Sequence, residues 1–141
     1  RGVDPAAFPR RPRPDRAASA AIRAELALPD ATRLLLMPGR GTRLKGHADA
    51  IALLAALRAD GLDAALWLLG AEQPGRDAYL AELRALADAR GVASALRISP
   101  PRADVVDAYA ASDLVLQLSR QPEAFGRTVI EALSVGVPVL G

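Results

Sequence analysis

Apolar positions along the chain fall into two alternating patterns. Continuous short runs, RLLLM at 33–37, AALWLL at 64–69, ALRIS at 95–99, DLVLQL at 113–118 and VPVL at 137–140, have the length of strands buried on both faces. Between them lie stretches with helical spacing: 47–60, 77–90 closed by Gly91, 103–112, and about 126–135. A further helix is expected ahead of the first run, in DRAASAAIRAELAL at 15–28, ending at Pro29. Five apolar runs separated by four helices predict an α/β protein, a doubly wound parallel sheet with helices on both faces joined by right-handed crossovers. In such a fold the ligand crevice lies outside the carboxyl ends of the strands, where the strand order switches. The loops that matter therefore follow Met37, Leu69, Ser99 and Leu118.

Composition narrows the chemistry. The chain has 141 residues, 51% of them hydrophobic, with five aromatics, so one domain with an aliphatic core is expected. Residues 1–30 read as linker and lead-in helix, and 31–141 as the sheet domain. There is no cysteine and a single histidine, His47, which leaves no disulfide and no thiolate or polyhistidine metal site. No stretch has the length and hydropathy of a membrane span or a signal peptide. Net charge is only +2, and the basic clump RRPRPDR at 10–16 is rich in proline, which reads as a solvated linker rather than a nucleic-acid stripe. Seventeen of the eighteen basic residues are Arg; the one Lys is Lys45.

The loop after the first run is PGRGTRLKGH, 38–47. Gly39 and Gly41 begin a dinucleotide fingerprint, but Leu44 stands where the third glycine belongs; Gly41 and Gly46 have P-loop spacing, but His47 and Ala48 follow. The loop does offer two cations, Arg40 and Lys45, at the ligand edge. Arg can grip phosphate oxygens bidentately and Lys acts as a point charge. A solvated basic loop is the alternative, and Arg43 shows how readily Arg occurs there.

At the far end, EAFGRTVIEA places seven residues between Glu123 and Glu131. Glu123 falls in the loop after the fourth run and Glu131 on about the second turn of the last helix, whose side chains lean back toward its start. Between them the amides of Phe125, Gly126, Arg127 and Thr128 begin a helix, a site suited to an anion. Carboxylates only accept hydrogen bonds, which suits hydroxyl-rich groups. The plain alternative is dipole complementarity for Glu123 and simple helix propensity for Glu131. Phosphates flanked by polyols describe a nucleotide sugar.

The chain resembles the C-terminal, donor-binding domain of retaining glycosyltransferases of the GT-B fold, family 4 (group 1), over essentially its whole length. The carriers are GVD with Phe8, GR and LKGH after the first run, DAYAASDLVLQLS, and EAFGRTVIEALSVGVPV. The resemblance implies a metal-independent hexosyltransferase with no cofactor beyond its donor, a UDP-, GDP- or ADP-sugar. It places Gly39, Arg40 and Lys45 at the donor diphosphate, Glu123 on hydroxyls of the transferred sugar and Glu131 on the ribose diol. The segment Phe125, Gly126, Arg127 and Thr128 would line sugar and phosphate, and Arg40, Lys45 and Glu123 would carry catalysis. It also implies an N-terminal acceptor domain outside this chain, with the domain itself continuing past Gly141, and a cytoplasmic enzyme of envelope polysaccharide synthesis touching the inner face of the plasma membrane. Many members carry E-G-F-G-L-P where this chain has Glu123, Ala124, Phe125, Gly126, Arg127 and Thr128, which leaves the Arg127 side chain as either a phosphate contact or an exposed helix-start residue. A non-catalytic nucleotide-binding domain, or another GT-B enzyme such as an epimerase, is the rival reading. His47 is expected to be positional, and Trp67 and Tyr109 to be core.

Overall fold

The computed structural model describes residues 6–11, 15–119 and 127–141. Five parallel strands, β1 (Arg33–Pro38), β2 (Ala64–Leu69), β3 (Leu96–Ser99), β4 (Leu114–Leu116) and β5 (Val139–Leu140), form one sheet in the order β3-β2-β1-β4-β5. The helices are α1 (Arg16–Leu26), α2 (His47–Ala59), α3 (Asp77–Ala89), α4 (Val105–Ala111) and α5 (Arg127–Val135). This is the doubly wound architecture that the alternating pattern predicts. Strand order grows from β1 to one side through β2 and β3 and to the other through β4 and β5, so the switch point lies between β1 and β4.

The period-two geometry of a strand divides the apolar runs between two cores. Leu35 and Met37 of β1, with Leu66 and Leu68 of β2, pack against Ile51 and Leu54 of α2 and Leu80 and Leu83 of α3. Leu34 and Leu36, with Trp67 and Leu69, face α1, α4 and α5 through Ile22, Ala108, Tyr109 and Ala132. Because both faces are covered, every residue of β2 is buried. Trimming a buried Leu here to Ala would cost about 2–5 kcal/mol.

The lead-in helix belongs to this second core. Ala18, Ile22 and Leu26 are buried in it, and Asp15 caps the helix by accepting from the Ala18 amide at 3.1 Å. Ahead of it, the Arg11 amide donates to the Val135 carbonyl at 3.0 Å, and its guanidinium pairs with Asp15 and Asp107. Residues 1–30 therefore include a helix that completes one face of the sheet as well as a lead-in.

Three strands are shorter than their apolar runs, β5 keeping only Val139 and Leu140 of 137–140. β3 begins one residue late, after a 3-10 turn at Ala93–Ala95, and β4 keeps only three residues of 113–118. At the start of β4, Asp113 turns its carboxylate to the Leu34 amide, accepting at 2.7 Å, while its own amide donates to the Leu34 carbonyl. Pairing to β1 then extends over Leu114 and Val115 alone.

Candidate functional site

The carboxyl edge of the sheet is built largely from close backbone contacts. Gly39, directly after β1, donates its amide to the Leu69 carbonyl at 2.9 Å. Gly41 packs so tightly on Ala71 that a Cβ would lie 2.6 Å from the Ala71 carbonyl oxygen. Gly46 ends the 3-10 turn Arg43–Lys45 with φ of 85°, and a Cβ there would lie 2.2 Å from the Leu118 carbonyl oxygen. Only glycine satisfies both conditions at position 46. The contact ties the loop after β1 to the residues after β4 across the switch point.

Of the cations in this loop, Arg43 is engaged by structure: it pairs with Glu82 of α3 and lies 4.9 Å over the Tyr79 ring. Arg40 is exposed and forms no ion pair among the described residues. Together with Gly39 it lines a cleft of about 250 Å³, whose other walls are Leu69, Gly70, Gln73, Pro101, Arg102 and Val105. Lys45 is half-buried, and its stem runs past Gly39, where a Cβ would meet Lys45 Cδ and Cε at 3.6 Å. The loop thus places Gly39 beside both the Lys45 stem and, in the cleft, Arg40.

His47 opens α2 and is fully buried; its Nδ1 is 3.1 Å from the Tyr79 hydroxyl, and Nε2 has no hydrogen-bond partner among the described residues. Burial pushes its pKa down to about 4; nearby Lys45 acts in the same direction and the Thr42 backbone opposes them. A neutral, enclosed imidazole of this kind holds the loop against α3.

On the other side of the switch point, Glu131 sits on α5 with its side chain 16% exposed. Its Oε1 accepts a hydrogen bond from the Tyr109 hydroxyl at 2.8 Å, and Oε2 lies 3.9 Å from Arg127 Nε. Arg127 is 66% exposed, so its side chain is an outward helix-start residue in loose contact with Glu131. Thr128 beside it is half-buried. Burial first, then Glu131, raises the Tyr109 pKa well above the usual tyrosine value, so the phenol keeps its proton as donor. Glu123, Phe125 and Gly126 lie outside the described residues.

Sequence reasoning missed two contributors. Tyr109 is core, as expected, yet its hydroxyl reaches a candidate ligand group; Gly46 was visible only as part of a motif. The helical phase of Tyr109 and Glu131, each about a turn past a helix start at the same sheet edge, could have suggested the first.

A larger cavity, about 400 Å³, lies at the opposite, amino edge between Asp15, Arg23, Arg33 and Asp113. Arg23 there is committed to Ser19, the Thr32 carbonyl and Asp113. Chemistry favours the smaller cleft. Among the described residues there is no cluster of three His, Cys, Asp or Glu side chains fit to hold a metal ion, and no helix is long and apolar enough to cross a membrane.

Comparison with known proteins agrees with this geometry. A D-inositol 3-phosphate glycosyltransferase of Jonesia denitrificans is 38% identical over 99% of this chain and 33% of its own length. One of the same description from Xylanimonas cellulosilytica is 36% identical over 89% of the chain and 30% of its own. The chain thus spans about a third of the length of these relatives. Among solved structures, Anabaena HepE in complex with UDP and glucose superposes with a TM-score of 0.83 at 27% identity, covering 98% of this chain and 35% of HepE. The C-terminal domain of the group 1 protein LpcC from Francisella tularensis shares the fold, with a TM-score of 0.81 at 20% identity, covering 98% of this chain and 69% of that one. Residues 18–141 match the family profile described as glycosyl transferases group 1, and the chain belongs to that family as a C-terminal, Rossmann-like domain.

Proposed function

We propose that this domain binds the donor of a retaining, family 4 glycosyltransferase, a nucleoside diphosphate sugar, in the switch-point crevice. Arg40 and Lys45 take the diphosphate and stabilise the charge that develops on the departing nucleotide. Glu131 accepts from the ribose diol and Glu123 from hydroxyls of the transferred sugar. The backbone from Phe125 to Thr128 lines sugar and phosphate. In a water-poor cleft, cations and helix amides supply the stabilisation that a metal ion supplies in other enzymes, so no divalent metal or other cofactor enters the proposal. The acceptor, a glycan or lipid of the cell envelope, is bound by an N-terminal domain outside this chain, on the cytoplasmic side of the plasma membrane.

The observation that carries this reading is the placement of Arg40 and Lys45 on the loop after β1, across the switch point from the carboxylate of Glu131. HepE, solved with UDP and with UDP-glucose, lends support at the level of ligand class. Titration calorimetry of the chain with UDP, ADP and GDP tests it. Weak binding of one of them is expected, with affinity falling as salt rises and unchanged by a chelator. Absence of binding to all three would refute the reading. The chain by itself should transfer no sugar, since acceptor positioning and closure of the cleft lie elsewhere in the protein.

A further inference from the structure

Tyr109 occupies a place that a packing residue does not need. Its ring is 2% exposed, edge-on to Phe8 with centroids 6.3 Å apart, and apolar neighbours on α1, α4 and α5 would accept a phenylalanine equally well. The hydroxyl adds a polar atom to that core, and a buried hydroxyl is tolerated only when it is satisfied. It is satisfied in a directed way. The phenol donates to Glu131 Oε1 at 2.8 Å. A carboxylate can only accept, so the phenol proton points toward Glu131.

We infer that Tyr109 is a positioning residue for the nucleotide: its hydroxyl fixes the Glu131 carboxylate in the plane and rotamer that accept a vicinal diol. Each carboxylate oxygen has two lone-pair sites, so the bond from Tyr109 leaves Oε1 able to accept once more and leaves Oε2 to the ligand. The remaining neighbour of Oε2, Arg127 at 3.9 Å, is too distant and too exposed to hold the group by itself. Without the phenol, a glutamate side chain with three rotatable bonds would have to be ordered by the ligand, at the expense of affinity.

The inference rests on the reading of Glu131 as the ribose-diol acceptor, and the test separates the two. Calorimetry would compare UDP, ADP and GDP, each beside its 2′,3′-dideoxy analogue, on the wild-type chain and on Tyr109→Phe, Glu131→Ala and the double variant, with thermal melting as a check on folding. For whichever nucleotide binds, Tyr109→Phe is expected to weaken the ribose form by roughly tenfold, as for loss of a hydrogen bond to a charged group. The dideoxy analogue should change by less than twofold, and Tyr109→Phe should have no further effect once Glu131 is Ala. Should Tyr109→Phe fail to fold, Tyr109→Met replaces it, since it also removes the hydroxyl while filling the site with an adaptable apolar side chain, and the loss is again expected for the ribose form alone. Equal losses for ribose and dideoxy forms would show a merely structural role and overturn the inference, as would unchanged affinity in Tyr109→Phe beside a loss in Glu131→Ala. Wild-type affinity in Glu131→Ala, or no binding by any of the three nucleotides, would bring down the reading of the diol site and the inference with it.

Discussion

The two edges of the sheet use charge in opposite ways. At the amino edge, Arg23 Nη1 donates to the Thr32 carbonyl at 2.6 Å and Arg58 to the Ala64 carbonyl at 2.8 Å. Asp113 meanwhile gathers Arg23, Arg33 and the Leu34 amide. These charges close the ends of strands and helices. At the carboxyl edge, Arg43 and Arg102 are paired with carboxylates, whereas Arg40 is exposed at the cleft and forms no ion pair among the described residues. Charge satisfied within the fold stabilises it; charge left at an open crevice is available to a partner. The larger cavity is thus at the edge where the polar groups already have partners.

The contrast can be broken at its tightest point by Gly46→Ala. Its methyl would strike the Leu118 carbonyl in a left-handed backbone conformation, so a stability loss of about 4 kcal/mol is expected from combined overpacking and strain. Urea denaturation measures it. Asp113→Ala attacks the other edge: it strands the Leu34 amide and leaves buried Arg23 short of a partner, for an expected loss of about 3 kcal/mol. Nucleotide affinity of the folded fraction should not change.

Acid offers a milder perturbation, which reaches His47 at the carboxyl edge before it reaches Asp15 at the amino edge, whose carboxyl the Ala18 amide and Arg11 hold below the ordinary value. His47 has a folded pKa of about 4 against 6.5 when unfolded, so between those values the unfolded chain binds the extra proton. Stability from this group is complete above pH 6.5 and is lost as pH falls toward 4, by on the order of 2–3 kcal/mol. His47→Gln should flatten that limb of the stability profile. Smallest in energy is Arg40→Ala, which should leave the melting temperature unchanged yet weaken binding of the nucleoside diphosphate about tenfold, or ~1.4 kcal/mol. A marked loss of stability instead would place Arg40 among the structural charges.

How far the sequence reaches depends on the range of the interaction. β1 and β2 could be read to within a residue because their apolar runs are buried on both faces, and the helices because their spacing is local. The start of β4 could not be read, since the Asp113 carboxylate there meets the Leu34 amide 79 positions away. Within the candidate site, Arg40 and Arg43 are equivalent as letters. Only the packing of α3 against the loop assigns Arg43 to Glu82 and Tyr79. The pairing of Tyr109 with Glu131 was hidden for the same reason: two helices must dock before one hydroxyl and one carboxylate meet.

The chain's sole lysine lies with its stem along Gly39, within the candidate diphosphate site. An amine-directed reagent therefore finds one side chain and the terminal amine. Reductive methylation with a ¹³C-labelled aldehyde would put its only side-chain label at Lys45, giving an NMR signal separable from that of the terminus. That signal would report directly whether an anion has arrived, without crystals and without turnover.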